Sequence, residues 1–234
     1  MEIYAVKIMD ISEEFIEKIS FFISEDKRFK INRFINRQDK IRTLIGDVLV
    51  RFTAMEKLKI NNDSITFNKN DYGKPFLKDY PKFKFNISHS GDFLVCAFDD
   101  TEIGIDIEQI NQIDYREIAN SFFSESEVDY ILDKDSNDAL SRFYDIWTLK
   151  ESYVKCCGLG VTMPLESFSI CINEHDNIGV VANNHWKSYS FKRFDISEGY
   201  KMSVCSVNKE ISEEITFIDQ NTLIEDFIFQ NSIT

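Results

Sequence analysis

The chain repeats itself. Ser20-Phe21-Phe22-Ile23-Ser24-Glu25 is echoed by Ser121-Phe122-Phe123-Ser124-Glu125, and each stretch is followed by a helical segment with an arginine. In the first, Arg42 precedes Thr43-Leu44-Ile45-Gly46; in the second, Arg142 precedes Phe143-Tyr144-Asp145-Ile146. Each closes on a similar apolar strand, at residues 93–98 and 200–206. An offset of roughly 100–110 residues is far longer than a solenoid repeat. The chain is therefore expected to fold as two related halves, residues 1–103 and 104–234.

Periodicity predicts the same elements in both. Residues 3–8 read as a strand and 12–23 as a helix, with Ser12 placed as its cap. Residues 26–36 and 38–58 read as helices; in the second, Ile41, Leu44, Ile45, Val48, Leu49 and Phe52 fall at helical spacing. A short strand is predicted at 65–67, a turn at Tyr72-Gly73-Lys74-Pro75, and strands at 83–86, 93–98 and 104–108. Helices at 115–123, 126–133 and 138–157 follow, then strands at 167–172, 178–181, 189–194 and 201–207. Each half is helices plus a small antiparallel sheet, an α+β arrangement.

Composition narrows the class of function. The 234 residues are 43% hydrophobic and 14% aromatic, enough for a sizeable core. A net charge of −13, from 27 basic and 40 acidic side chains, argues against nucleic acid and anionic membranes as partners. No apolar run approaches the ~20 residues that span a bilayer, and the amino terminus lacks the basic start of a signal peptide. Five cysteines without a CxxC pair read as free thiols in a reducing cytoplasm.

Two segments carry the chemistry. Gly104-Ile105-Asp106-Ile107-Glu108 alternates apolar and acidic residues, so a strand turns Asp106 and Glu108 to one face. Trp147-Thr148-Leu149-Lys150-Glu151-Ser152-Tyr153-Val154-Lys155 sets Glu151 and Lys155 at i and i+4, on one side of a helix. Acids two apart on a strand are commonly its wet face; Glu151 in an apolar helix points to an enclosed site instead. Three carboxylates and a lysine brought together suit a hard divalent cation holding a phosphate ester. No Cys/His cluster suits zinc. Asn86-Ile87-Ser88-His89-Ser90-Gly91 can present hydroxyl, imidazole and N–H groups to a phosphate. A Ser–His hydrolase pair is excluded, because neighbours on a strand point apart. Lys27, Arg28, Lys30 and Arg33 cluster in an acidic chain and offer a landing patch for a polyphosphate, or simply a solvated face.

Taken in order and spacing, these motifs make the chain closely resemble the 4′-phosphopantetheinyl transferases of the surfactin-synthetase-activating type. The resemblance covers the Lys27/Lys30 segment, residues 42–47, Tyr72-Gly73-Lys74-Pro75, residues 85–90, residues 104–108, Phe122-Phe123-Ser124 with Glu127, and Trp147 through Lys155. It implies two pseudo-symmetric α/β halves with the active site at their interface. The implied reaction moves the phosphopantetheine arm of coenzyme A to a serine of an apo acyl, peptidyl or aryl carrier protein, releasing adenosine 3′,5′-bisphosphate. It implies Asp106, Glu108 and Glu151 as magnesium ligands, and Lys27, Lys30, Lys74, Ser88, His89 and Lys155 as coenzyme A contacts. Arg42 and Thr43 would lie near the adenine and His89 at the 3′-phosphate. The general base stays open among Glu151, Glu127 and a metal-bound water, and manganese stays open as the metal. The family type is usually monomeric, and the surfactin type suggests broad carrier tolerance. Because carriers are typically acidic and this chain carries −13, docking is expected to rely on an apolar patch, with residues 110–123 as candidates, and on local basic groups. The carboxylates alone also permit a magnesium-dependent pyrophosphatase of coenzyme A, and the whole permits a non-catalytic relic that holds a carrier.

Overall fold

The structure, a computed structural model, describes residues 1–133, 138–173, 175–183, 185–208 and 210–232. A strand opens each half and the same succession follows it. In the first, β1 (Glu2–Lys7) leads to helices α1 (Glu13–Ser20), α2 (Glu25–Ile31) and α3 (Arg37–Leu58), then to β2 (Phe67–Lys69), β3 (Pro75–Leu77), β4 (Lys84–Ser90) and β5 (Phe93–Asp99). In the second, β6 (Ile103–Gln109) leads to α4 (Tyr115–Phe122), α5 (Glu125–Leu132) and α6 (Ala139–Cys157). Strands β7 (Phe168–Ile172), β8 (Ile178–Ala182), β9 (His185–Lys187), β10 (Ser190–Phe194) and β11 (Tyr200–Ser206) come next, followed by β12 (Ile215–Ile218) and helix α7 (Gln220–Ser232).

The repeated words are helix starts. Ser24 caps α2, its side chain accepting from the Lys27 N–H. Ser124 caps α5, and Glu127 reaches back to the Ser124 N–H at 2.8 Å, a reciprocal capping box. Each short helix hands the chain to a long one, α3 or α6, which covers its own sheet. The sheets match as well: β1-β5-β4 and β6-β11-β10 both carry a central strand with antiparallel neighbours. The α+β fold of two pseudo-symmetric halves is thus as expected.

Several features differ from the sequence reading: β3, β9, β12 and α7 are elements it did not expect, and α2 ends at Ile31 rather than at residue 36. Strand β12 joins β1 in parallel, so the first sheet is mixed rather than wholly antiparallel. It can do so because it returns from the far half and needs no hairpin. Helix α7 follows it, and Leu223, Ile224 and Phe227 enter the core of the first half. Residues 215–232 therefore pack on the half that residues 1–103 build. Strand β2 starts at Phe67, not Ile65, because Ile65 closes a 3₁₀ turn by donating to the Asn62 carbonyl at 2.9 Å.

Alternation along the strands explains the layers. On β5, Leu94, Cys96 and Phe98 face the core under α3, while Phe93, Val95 and Ala97 face a core shared between the sheets. Ile103, Ile105 and Ile107 of β6 enter that shared core with Met202 and Val204. The opposite face of β6, with Asp106 and Glu108, is left toward α6.

Candidate active site

Gly104 lets helix α6 lie against β6. A methyl group there would come 2.0 Å from the Ser152 carbonyl oxygen and 2.4 Å from the Cys156 nitrogen, both main-chain atoms of α6. This close approach brings Glu151 and Lys155 over the acidic face of β6. A cavity of about 400 Å³ results, lined by Ile87, Ser88, His89, Asp106, Glu108, Trp147, Glu151 and Lys155. The strand and helix segments predicted to converge do so.

Strand β4 supplies the other wall through side chains. The side-chain oxygens of Asn86, Ser88 and Ser90 accept from the N–H groups of Ile105 (2.9 Å), Ile107 (3.4 Å) and Gln109 (3.0 Å). Polar residues at every second position thus replace a backbone ladder and join the two sheets. The serine hydroxyls then donate to the acids: Ser88 to Asp106 Oδ1 at 2.9 Å and Ser90 to Glu108 Oε2 at 2.8 Å. The signal was present in the sequence as Asn-x-Ser-x-Ser, but its function as a seam was not legible there.

Lys155 crosses the cavity. Its ammonium lies 2.6 Å from Asp106 Oδ1, 2.9 Å from Ser88 Oγ and 3.2 Å from the Ile105 carbonyl. The other oxygen of Asp106, Oδ2, is buried without a hydrogen-bond partner. Burial, then the Asp106 charge, pushes the Glu108 carboxyl up to about 7. The same two causes, in the same order, raise Glu151. Enclosed carboxylates that repel one another, one with an orphaned oxygen, form an all-oxygen donor set short of positive charge, which fits a hard divalent cation. Among the described residues no three such side chains are already gathered as a ligand cage. A shared cation would have to draw them together, with Lys155 giving way on Asp106.

The remaining predicted residues outside α5 fall in four places. His89, exposed near the end of β4, lines the cavity; desolvation of the ring and the nearby Arg42 charge lower its pKa. Arg42 binds Asp39 at 3.0 Å, Gln38 at 2.9 Å and the Gly91 carbonyl, beside half-buried Thr43. Lys27 lies 3.5 Å from Asp47, which a buried Arg51 holds at 2.7 Å, and Lys30 is exposed on the same helix. Lys74 is occupied elsewhere: its ammonium meets Glu102 at 3.1 Å and the carbonyls of Ile103 and Cys156, beyond the end of α6.

Glu127 is not brought into the cavity. Both it and Lys150 have fully buried side chains, paired at 2.7 Å. Its oxygens also accept from the N–H groups of Ile170 (2.7 Å) and Ser124 (2.8 Å), and Lys150 donates to the Phe168 carbonyl at 2.8 Å. The pair ties α5 and α6 to β7. Its acid and lysine were legible as residues, but not their pairing across 23 positions.

Among the described residues no helix is long and apolar enough to cross a membrane. Comparison with known proteins agrees with the motifs. Residues 102–205 match the model of the 4′-phosphopantetheinyl transferase superfamily, and residues 10–101 match that of the 4′-phosphopantetheinyl transferase N-terminal region. The 4′-phosphopantetheinyl transferase Sfp of Bacillus subtilis (strain 168) is 39% identical over 96% of this chain and 100% of its own length. The 4′-phosphopantetheinyl transferase gsp of Aneurinibacillus migulanus is 36% identical over 91% of this chain and 88% of its own. Among solved structures, holo-[acyl-carrier-protein] synthase of Helicobacter pylori in complex with coenzyme A covers 44% of this chain and 96% of that one, at 20% identity and a TM-score of 0.37, a likeness too loose to bear on the fold. On the two family matches and the full-length relatives, the chain belongs to the 4′-phosphopantetheinyl transferase superfamily and is an enzyme of that kind.

Proposed function

We propose that coenzyme A is the donor, a serine of an apo carrier protein the acceptor, and magnesium the cation that Asp106, Glu108 and Glu151 hold. The observation that carries this reading is the cavity in which these acids and Lys155 meet, with Asp106 Oδ2 buried and unpartnered. When bound, the cation supplies positive charge against the diphosphate and makes its cleavage easier.

The chain's own residues do the rest. Lys155 lies where a second positive charge meets the phosphate oxygens. Glu151 takes the proton from the carrier serine through an oxygen not committed to the cation, and Glu127 is spent on Lys150. The serine oxygen attacks the β-phosphorus, the bond to the bridging oxygen breaks, and its electrons leave with adenosine 3′,5′-bisphosphate. Lys27, Lys30 and His89 meet the phosphates, with Arg42 and Thr43 toward the adenine. Lys74, committed to Glu102 and to the carbonyls of Ile103 on β6 and Cys156 on α6, acts by holding that helix end in place.

Carrier docking falls to the apolar residues within 110–123, of which Ile113 and Phe122 are exposed. We place the division between halves at 103/104, with residues 215–232 packed across it. Five free thiols suit a reducing cytoplasm, and one chain holds the whole site, so a monomer suffices.

Intact-mass analysis of several apo-carriers, incubated with coenzyme A and magnesium, tests the reading. It expects a gain of one phosphopantetheine arm on a carrier and adenosine 3′,5′-bisphosphate in equal amount. Coenzyme A cleavage without any carrier would instead reveal a pyrophosphatase, and no gain on any carrier would reveal a binding relic.

A further inference from the structure

We propose that Ser90 is a positioning residue for the divalent cation, its hydroxyl holding the Glu108 carboxylate at the cavity that Asp106 and Glu151 also line. This rests on the reading of the three acids as metal ligands. The hydroxyl accepts from the Gln109 N–H at 3.0 Å and donates its single proton to Glu108 Oε2 at 2.8 Å. Gln109 follows Glu108 on β6, so the bond to its N–H fixes the serine against the segment of backbone that carries the ligand. A glutamate has three rotatable side-chain bonds, and Asp106 and Glu151 repel it. Without a fixed donor, it would swing toward solvent.

The neighbouring serine shows the same construction. Ser88 accepts from the Ile107 N–H and donates to Asp106. Ser88 is also reached by Lys155 and lines the cavity, so its loss would disturb several groups at once. Ser90 is absent from the cavity lining, and its side chain makes these two bonds. Outer hydrogen bonds of this kind orient ligating carboxylates, and losing one typically costs about 10–100-fold in metal affinity.

The test titrates Mn²⁺ into protein free of coenzyme A, reading free Mn²⁺ by paramagnetic resonance, alongside transfer assays across Mg²⁺ concentration. Ser90→Ala is expected to weaken Mn²⁺ binding about tenfold and raise the Mg²⁺ needed for half-maximal rate in proportion. At saturating Mg²⁺ its kcat and its KM for coenzyme A should stay near wild type, and Ser90→Thr should restore the affinity. A purely structural serine would lower the folded fraction without moving the metal requirement of what remains. If Ser90→Ala does not fold, Ser90→Cys keeps a weak donor of similar size and should show a smaller loss. Wild-type Mn²⁺ affinity in Ser90→Ala, or no rescue by threonine, overturns the assignment. Wild-type protein that binds Mn²⁺ neither alone nor with coenzyme A added overturns the three-acid reading and the assignment with it.

Discussion

Lys155 Nζ sits 2.6 Å from Asp106 Oδ1, a bond from a helix of the second half to the strand that opens it. The same lysine reaches Ser88 on the last-but-one strand of the first half, so one ammonium spans the seam. Removing Asp106 takes away a proposed ligand and also relieves the charge that raises Glu108 and Glu151. Asp106→Ala is therefore expected to lose transfer by about 10³-fold or more, in the range of a lost transition-state charge contact. The protein should nevertheless stay folded. Calorimetry and a carrier mass-shift assay check both halves; retained turnover with magnesium refutes the ligand assignment.

Glu127 and Lys150 make the opposite case. Removing either partner of a fully buried pair costs about 3–5 kcal/mol, because the other charge is left uncompensated. Glu127→Ala and Lys150→Met should each lower the urea midpoint, and the double variant should cost less than their sum. Transfer per folded molecule should stay within about threefold, whereas loss of a general base would cost about 10²–10⁴. A Glu127→Gln variant that folds normally and cannot transfer would restore Glu127 as a base.

The raised Glu108 carboxyl gives a pH signature. Its folded pKa, about 7, lies above the ordinary carboxylate value, so the folded state binds the proton more tightly. Its contribution to stability is present at low pH and is lost as pH rises from about 4.3 through 7. A cation needs the ionised form, so it competes with that proton. The melting shift caused by Mg²⁺ should therefore grow from pH 5.5 to 8, and Glu108→Gln should flatten that growth. A shift equal at both ends of the range would sink the coupling.

Gly104 sets the distance between α6 and β6. Gly104→Ala drives a methyl into two main-chain atoms of the helix, so the helix must move. Overpacking of this kind costs about 1–3 kcal/mol or more. The displaced helix carries Glu151 and Lys155, and a shift of about 1 Å at a reacting group costs roughly 10²-fold in rate. Transfer should fall much further than the folded fraction measured by circular dichroism; parallel losses would contradict the spacing role.

Local pattern carried much of the sequence reading. The alternation around Asp106 and Glu108 needs only the two-residue strand period, and the i, i+4 spacing of Glu151 and Lys155 needs only a helix. The repeated Ser-Phe-Phe stretch was legible as an echo, and its cause, a pair of helix caps, is itself local. What sequence did not carry is pairing at long range. Strand β12 is four residues long and joins β1 from the other end of the chain, a contact no local period encodes. The burial of Glu127 depends on Lys150 of α6 and on Phe168 and Ile170 of β7 arriving together. The commitment of Lys74 depends on where α6 ends, which the turn it sits in cannot announce.

The most direct measurement is an anomalous-scattering map from crystals soaked with Mn²⁺ and coenzyme A. One manganese peak within coordination distance of Asp106, Glu108 and Glu151, beside the diphosphate, is the expected result. A peak elsewhere, or these three side chains turned apart around an intact diphosphate, would contradict a shared cation at the seam.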